Sequence, residues 1–388
     1  MSALKLIKPA TILEKYIATI VLHSLGDTIG FKNGEWEFNY FTEFTEDASL
    51  ELLYEFIHLG GINRINLEGW HVSDDTFYNV GIAEALLKSN YNNDDFYVKV
   101  KEQLLTVTLE MTKKVNKKKV ERYFGATTIN YVLLFKDPNG KDGRTMPFDP
   151  ISGGSGCAMR TLSIGLALFG ESNRKKLIEI AIETSRLTHN SPIGYLGGLV
   201  TALFTAYAIE GIHIYKWPYL LMDILLSDDI KSRMIKPEEM EDYEIFLKYW
   251  RRYLDTRFKN KEPIKTKANT NILYRTHYYN KYFVTEKEEI NGNPTFDFAG
   301  STGYSAPIVA YDCLIDAEDN WEKLVIYSML HIGDSDTTGC IAAGLYGAMY
   351  GFGDVPNTNL KYLELKTRCE KIGEMLYKKF YLNEKINY

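Results

Sequence analysis

The apolar residues of this chain recur mostly every three or four positions, which is the spacing of one face of an α-helix. Two such faces consist of Ile17, Ile20, Val21 and Leu25, and of Val80, Ala83, Leu86 and Leu87. The same spacing recurs in the segments 160–169, 177–187, 194–210, 219–226, 320–331, 339–350 and 360–381. Alternation with a period of two is scarce, and no series of strand-plus-turn units occurs. The pattern therefore predicts an all-α fold.

Loops rich in proline, glycine and asparagine separate the helical segments, at 30–39, 137–143, 147–156 and 292–307. The region 228–295 is more charged and rich in tyrosine, so we expect it to be peripheral. No linker is long or polar enough to separate two domains, and no internal repeat is present. We therefore expect one domain.

The composition is that of an ordinary globular protein, with 45% hydrophobic and 25% charged residues among 388. A net charge of −6 argues against a general nucleic-acid binder. The four cysteines lack a CxxC pair and favour buried, reduced thiols over a disulfide framework or a zinc site: Cys157, Cys313, Cys340 and Cys369. The first residues lack the regions of a signal peptide, and the most apolar stretch near them, 16–22, is too short to span a bilayer. We expect a cytoplasmic protein without membrane contact.

Two acidic clusters near opposite ends of the chain each precede an apolar helical segment. They are Ser73-Asp74-Asp75-Thr76 and Asp334-Ser335-Asp336-Thr337-Thr338. One interpretation is a pair of ordinary helix N-caps, because carboxylates and hydroxyls accept hydrogen bonds from the free N–H groups there. The other is an all-oxygen site for hard cations such as Mg²⁺ or Mn²⁺, if folding brings the clusters together. Four crowded carboxylates would repel, so the pair favours a cation more than either cluster alone.

Three further segments are candidates for binding elements. Gly153-Gly154-Ser155-Gly156 allows unusual backbone angles that turn N–H groups toward an anion, although a flexible loop leading into a helix explains it better on its own. His189, before Asn190-Ser191-Pro192, is either a binding residue or a satisfied histidine at a helix end. The basic run 113–122 is more typical of a solvated face than of a nucleic-acid contact, because stacking aromatics do not interleave it.

Several segments, taken in order, resemble the ADP-ribosylglycohydrolase family, specifically its ADP-ribosyl-arginine hydrolase branch, over about residues 14–381. They are Gly26-Asp27-Thr28-Ile29-Gly30, the 33–38 segment, Trp70 to Thr76, Gly153 to Arg160, Arg186-Leu187-Thr188-His189, 306–312, His331 to Gly339, and 347–352. Each is modest alone, and their order makes the resemblance specific.

The resemblance implies an all-α fold with a central metal cleft, in a single domain 14–388 that follows an N-terminal extension 1–13. It implies two Mg²⁺ ions, with Mn²⁺ as the alternative, held by Ser73, Asp74, Asp75, Asp334, Asp336 and Thr337. By the same resemblance Gly153, Gly154, Ser155 and Gly156 would hold the pyrophosphate of ADP-ribose. The rest of the ligand groove would be lined by His189, Ser301, Gly303, Tyr304 and Ser305. Glu37 matches a position near the distal ribose that can gate the substrate.

The implied reaction is hydrolysis of the N-glycosidic bond between ADP-ribose and arginine, with ADP-ribosylated proteins as substrates and ADP-ribose as product. Asp74, Asp75 and Glu37 are the catalytic candidates, and Asp75 is the first choice for the base that deprotonates the attacking water. Family members also lead us to expect a monomer. Two alternatives stay open: a hydrolase of O-linked ADP-ribose (serine-linked or O-acetyl-ADP-ribose), and a catalytically silent ADP-ribose binder, which would have no need of four clustered carboxylates.

The chain departs from this branch of the family at two places. Ile332 stands where glycine is common, and Tyr304-Ser305 stands where His-Asp is common. The first change would narrow the metal pocket and the second would alter contacts at the adenosine end, so both bear on substrate preference.

Overall fold

Helices make up nearly all of the regular structure in the described part of the chain. The computed structural model describes residues 9–37, 46–91, 95–115, 119–137, 140–265, 271–284, 286–290, 293–296, 298–386 and 388. The helices are α1 Ile12–Phe31, α2 Glu46–His58, α3 Gly61–Arg64, α4 Asp74–Lys88, α5 Asp95–Met111, α6 Ala126–Val132, α7 Leu162–Ala167, α8 Arg174–Arg186, α9 Pro192–Ile209, α10 Trp217–Leu225, α11 Asp228–Lys231, α12 Pro237–Arg257, α13 Ile272–Phe283, α14 Ser305–Ala317, α15 Trp321–Met329, α16 Ser335–Tyr350, α17 Asn357–Leu360 and α18 Lys366–Leu376. Two antiparallel hairpins pair β1 Phe258–Lys259 with β2 Glu262–Pro263, and β3 Glu286–Ile290 with β4 Asn293–Phe296. The all-α prediction is confirmed.

The proposed N-terminal extension 1–13 overlaps the first helix, because α1 begins at Ile12. Residues 1–8 of that extension lie outside the described residues. The boundary at residue 13 stays a prediction.

Two glycines on α1 let it lie directly against α16. A Cβ added at Gly26 would overlap the carbonyl oxygen of Gly339, and one added at Gly30 would lie 2.7 Å from the Cα of Asp336. Ser335 Oγ donates a hydrogen bond to the carbonyl oxygen of Gly30 at 2.9 Å. Because side chains cannot approach a backbone so closely, only glycine permits this contact. The start of α16 is thereby held against the backbone of α1.

Helix α9 lies at the centre of the core. Its N-terminus is capped by Ser191, whose Oγ accepts a hydrogen bond from the Ile193 N–H at 3.2 Å. Among the described helices it alone is long and apolar enough to cross a membrane, yet 94% of it is buried inside the protein. It packs against α7, α8 and a short 3₁₀ segment, Ser155–Arg160, that carries part of the glycine loop.

The region 228–295 is not peripheral as expected, because α12 packs into the core. Tyr243, Trp250 and Tyr253 are fully buried. They recur at intervals of seven and three residues, with Phe246 and Leu247 between them, which is a helical apolar stripe. Because the stripe is built largely from tyrosine and tryptophan among charged residues, composition alone suggested a polar surface.

Two boundaries also differ from the predictions. The segment 360–381 is interrupted between α17 and α18, where Leu365 adopts a left-handed conformation with φ of 60°. The predicted loop 292–307 contains strand β4 and the first turn of α14. Both differences involve short elements, whose ends local sequence patterns specify weakly.

Candidate metal centre

The first acidic cluster opens α4, and an aspartate from α1 holds its backbone. Ser73 is the N-cap, and its Oγ accepts a hydrogen bond from the Asp75 N–H at 3.1 Å. Asp27 accepts hydrogen bonds from the Ser73 N–H at 2.9 Å and from the Thr76 N–H at 3.0 Å. The Thr76 hydroxyl also donates to Asp27. Asp27 was not among the predicted site residues, although it lies in the 26–30 segment that resembles the family. Its carboxylate caps α4 from another helix.

The second acidic cluster opens α16 in a similar manner. Asp334 is the N-cap, and its Oδ1 accepts a hydrogen bond from the Thr337 N–H at 3.3 Å. Asp336 Oδ1 accepts from the same N–H at 2.8 Å. Ser155 Oγ donates to Asp334 Oδ2 at 3.0 Å and so links this cluster to the glycine loop. Both clusters are therefore helix caps, as the simpler interpretation predicts.

The two capped helix starts also meet at one cavity of about 240 Å³. Its acidic wall consists of Glu37, Asp74, Asp75, Asp334, Asp336 and Thr337. One carboxylate oxygen each from Glu37, Asp334 and Asp336 lie within 4.8 Å of one another. Glu37 Oε2 is buried and has no hydrogen-bond partner among the described residues. The structure therefore brings the predicted ligand residues together and adds Glu37 to them. Ser73 is fully buried and does not line the cavity.

No lysine or arginine is among the described residues that line the cavity. Burial raises the pKa of Asp75 and of Asp336 well above the ordinary value, and repulsion from neighbouring carboxylates raises both further. Burial and the charge of Asp336 also raise the pKa of Asp27 to about 7. A hard divalent cation would offset the repulsion between these carboxyl groups and would give the Glu37 oxygen a partner. The residues present thus fit the expected cation.

The glycine loop forms another wall of the cavity through Gly154, Ser155 and Gly156. Ser155 N–H donates to the carbonyl oxygen of Ser301 at 2.9 Å, which ties the loop to the 301–305 segment. None of the three loop glycines has a positive φ. The reason for glycine is space: a Cβ at Gly156 would lie 2.7 Å from Thr128 Oγ1 and 3.0 Å from His189 Cε1.

Of the remaining predicted ligand contacts, His189 and Ser301 line the cavity and the others do not. Burial, together with the positive charge of Arg160, lowers the pKa of His189 to about 3, so its imidazole is neutral near pH 7. Tyr304 is stacked on Tyr249 with ring centroids 3.9 Å apart. The others outside the wall are Gly153, Gly303 and Ser305. Their contacts with a ligand stay a prediction.

Two of these residues form hydrogen bonds with the backbone of residues that adjoin the cavity wall. Gly303 N–H donates to the carbonyl oxygen of Gly153 at 3.0 Å. Ser305 Oγ accepts a hydrogen bond from the Thr302 N–H at 3.2 Å. Ile332 is buried and does not line the cavity either.

Arg122 and Glu364 hold the residue that precedes the first acidic cluster. Arg122 Nη1 donates to the carbonyl oxygen of Val72, and Arg122 Nη2 donates to Glu364 Oε1 at 2.8 Å. Glu364 Oε2 accepts a hydrogen bond from the Val72 N–H at 2.9 Å. Burial alone would raise the pKa of Glu364, but hydrogen bonds from His71 and Arg122 lower it from 4.5 to about 2. Both polar groups of the Val72 backbone are therefore clamped by one ion pair, which we call the Val72 clamp.

Arg122 is the exception within its basic run. Its side chain is 2% exposed, so the solvated-face interpretation is wrong for this residue. Lys119 agrees with that interpretation, with a side chain that is 72% exposed and paired with Glu121. Lys117 and Lys118 lie outside the described residues.

Comparison with known proteins identifies one matching family and several named relatives. The model of the ADP-ribosylglycohydrolase family matches residues 8–386. The mimivirus (Acanthamoeba polyphaga mimivirus) protein L444, which is named as an ADP-ribosyl glycohydrolase, is 35% identical over 338 residues. That match spans 84% of this chain and 62% of the viral protein. ADP-ribosylhydrolase ARH1 of Dictyostelium discoideum is 31% identical over 380 residues, which is 93% of each chain.

Two further matches are more distant. ADP-ribosylhydrolase ARH3 of Xenopus tropicalis is 29% identical over 240 residues, or 58% of this chain and 59% of that protein. A solved structure described as an ADP-ribosylglycohydrolase-related protein complex superposes with a TM-score of 0.54. It is 18% identical and covers 94% of this chain and 98% of its own, which shows a shared fold.

Proposed function

Because the chain belongs to the ADP-ribosylglycohydrolase family, we propose that it is a metal-dependent hydrolase that removes ADP-ribose from mono-ADP-ribosylated arginine. The observation that carries the proposal is the convergence of two capped acidic helix starts, with Glu37, on one cavity. A silent binding protein would have no need of five buried carboxylates in such a place. Their raised pKa values show that gathering them without a cation is unfavourable.

The two kinds of wall match the two chemical parts of ADP-ribose. The acidic wall suits cations that can bind the hydroxyl groups of the distal ribose. The glycine loop lets the backbone approach the diphosphate closely, because Gly154 and Gly156 carry no side chain at the cavity surface. This arrangement would place C1″ of the distal ribose beside the carboxylates.

The proposed cation site consists of Asp74, Asp75, Asp334, Asp336 and Thr337, with Glu37 adjacent. Bound cations supply positive charge that neutralises these carboxylates and lowers the pKa of a nearby water. Asp75 is the proposed general base, because its carboxylate lines the cavity beside the other acidic residues. The water proton passes to Asp75 as the water oxygen bonds to C1″ and the C1″–nitrogen bond breaks. The guanidine takes a proton from solvent, and Glu37 stabilises the developing positive charge on the sugar.

The linkage to arginine is the more specific part of the proposal. It is supported by the resemblance to the arginine branch in the Trp-Glu-Phe and Trp70–Thr76 segments, and by the match to an ARH1 along nearly its full length. The partial matches to ARH3 proteins favour O-linked ADP-ribose as the second candidate. Either linkage uses the same cavity, so only the leaving group differs.

The direct test is incubation with arginine-, serine- and glutamate-linked ADP-ribosylated peptides and with O-acetyl-ADP-ribose, in Mg²⁺ or in EDTA. We expect release of ADP-ribose from the arginine peptide in Mg²⁺ and none in EDTA. Release from the serine peptide or O-acetyl-ADP-ribose alone would replace the arginine assignment with the O-linked one. Release from none of the substrates would favour a silent binder.

The matched control is provided by a second Ser-Asp-Asp helix start in the same chain. Ser227 caps α11, and Asp229 follows it at the position that Asp75 occupies after Ser73. Asp229 is exposed and does not line the cavity. We expect Asp75→Asn to abolish Mg²⁺-dependent release and Asp229→Asn to leave it unchanged. Full activity of Asp75→Asn would refute the assignment.

A further inference from the structure

Arg160 is a fully buried arginine without a carboxylate partner in the described part of the chain. It is 0% exposed, and its Nε and Nη1 atoms have no hydrogen-bond partner. By contrast, the buried Arg257 and Arg275 both pair with Asp312. Buried charges are normally paired, so an unpaired one indicates a special role. Among the described residues, the Arg160 side chain makes one hydrogen bond, from Nη2 to Thr188 Oγ1 at 2.7 Å.

This hydrogen bond sets the direction of the next one. A guanidinium group can only donate, so Thr188 Oγ1 accepts from Arg160 and its own proton is free to be donated. Thr188 Oγ1 lies 2.8 Å from His189 Nδ1. The thiol of Cys157 is also near this hydroxyl but is a much weaker acceptor than an imidazole nitrogen. The positive charge of Arg160 at the start of this series of hydrogen bonds makes the Thr188 hydroxyl a better donor, which favours the order Arg160, Thr188, His189.

The same order fixes the tautomer of His189. The imidazole is neutral, because burial lowers its pKa. If Nδ1 accepts the proton of Thr188, the single ring proton is on Nε2. Nε2 faces the glycine loop, since a Cβ added at Gly156 would lie 3.1 Å from it and one at Gly154 would lie 3.9 Å from it. His189 is therefore positioned to present an N–H donor to the cavity beside the loop.

We propose that Arg160 and Thr188 are positioning residues that fix His189 as a neutral Nε2–H donor to a diphosphate oxygen of the ligand. The inference rests on the proposed function for the identity of that ligand, ADP-ribose. A donor of fixed tautomer requires an acceptor, and a diphosphate oxygen is an acceptor under all conditions, whereas a ribose hydroxyl can also donate. The unpaired charge of Arg160 adds an attraction for an anion at this wall.

The test compares Thr188→Val, which removes the hydroxyl at constant shape, with Thr188→Ser, which keeps it. In apo protein labelled with ¹⁵N-histidine, we expect the wild type and Thr188→Ser to show His189 with Nδ1 unprotonated and Nε2 protonated. Thr188→Val should shift this signature toward a mixture of tautomers. The His189 signals are assigned by their loss in His189→Gln.

Ligand affinity supplies the second readout, by calorimetry with ADP-ribose and with ADP in the presence of Mg²⁺. Loss of an oriented hydrogen bond to a charged group predicts a fall in affinity of about five- to thirtyfold for Thr188→Val with both ligands. Thr188→Ser should stay within about twofold of the wild type, and the affinity for Mg²⁺ should be unchanged in both variants. Thr184→Val is the matched control, because Thr184 is a buried threonine on α8 whose Oγ1 has no partner.

Each failure is distinguishable from the others. A wild type that does not bind ADP-ribose contradicts the proposed function and the ligand assignment together. A wild type with Nδ1 protonated, or a Thr188→Val variant with unchanged tautomer and affinity, overturns the positioning role. A loss seen with ADP-ribose but not with ADP would move the His189 contact to the distal ribose and overturn the diphosphate assignment.

Discussion

Replacement of Glu364 by glutamine tests whether the Val72 clamp stabilises the fold and the acidic helix start. The pKa of Glu364 is lowered from 4.5 to about 2 in the folded protein. At about 1.4 kcal/mol per pH unit, this difference corresponds to about 3 kcal/mol of stability near pH 7. Glu364→Gln also leaves Arg122 buried without its counter-charge, which acts in the same direction. We therefore expect the free energy of unfolding to fall by about 3 kcal/mol.

The pH dependence identifies the cause. Because the folded pKa lies below the unfolded one, the stabilisation is present above about pH 4.5 and is lost as the pH falls toward 2. The difference between wild type and Glu364→Gln, measured by urea unfolding in EDTA, should be constant from pH 7 to pH 5.5 and roughly halved at pH 3. Since the clamp holds the backbone before Ser73, the affinity for Mg²⁺ should also fall about tenfold.

The exposed Lys265–Glu318 pair provides the control. Its side chains are 62% and 61% exposed, so Glu318→Gln should change stability by no more than about 0.5 kcal/mol. Equal effects of the two substitutions, or a Glu364→Gln effect that does not diminish on acidification, would refute the reasoning.

Three other predictions concern the fold and the cation. Gly30→Ala places a Cβ 2.7 Å from the Asp336 Cα and should cost about 2–3 kcal/mol in thermal unfolding. Gly81→Ala places a Cβ 3.3 Å from the Val107 Cγ2 methyl and should be near neutral, because the higher helix propensity of alanine offsets this tighter contact. Asp312→Asn, which leaves two buried arginines short of a counter-charge, should cost about 3–5 kcal/mol in urea unfolding. In EDTA, the melting temperature should fall as the pH rises from 5 to 7. The folded protein holds the Asp27 proton more tightly than the unfolded protein does, and the stability that this difference provides is lost as the pH rises toward the folded pKa of about 7. Saturating Mg²⁺ should restore stability at pH 7, and an unchanged melting temperature would contradict the site.

Much of the fold and of the candidate site could be predicted from local patterns. Helical spacing identified α1, α4, α8 to α10, α15 and α16, because each buries an apolar face at a regular period. The acidic clusters could be placed at helix starts, because capping is a local interaction. All four cysteines are buried and unpaired, as predicted.

The rest depends on contacts between distant parts of the chain. Ser73-Asp74-Asp75 and Ser227-Asp228-Asp229 have the same local pattern and both cap helices, but only the aspartates of the first segment line the cavity. Nothing within either segment distinguishes them. The roles of Asp27 and Arg122 are similar, because each acts on the α4 start from a distant part of the sequence. Their charges were visible in the sequence, whereas their partners were not.

The position of α1 between the two acidic helix starts has a consequence for biosynthesis. Asp27 caps α4, while Gly26 and Gly30 of the same helix contact α16, so α1 lacks this partner until α16 has been synthesised much later in the chain. A chain interrupted before α16 would carry Asp74 and Asp75 without Asp334 and Asp336, and would leave the glycine surface of α1 uncovered. Cation binding therefore requires that α16 has been synthesised and packed against α1, and chains that end before α16 should be inactive and susceptible to degradation.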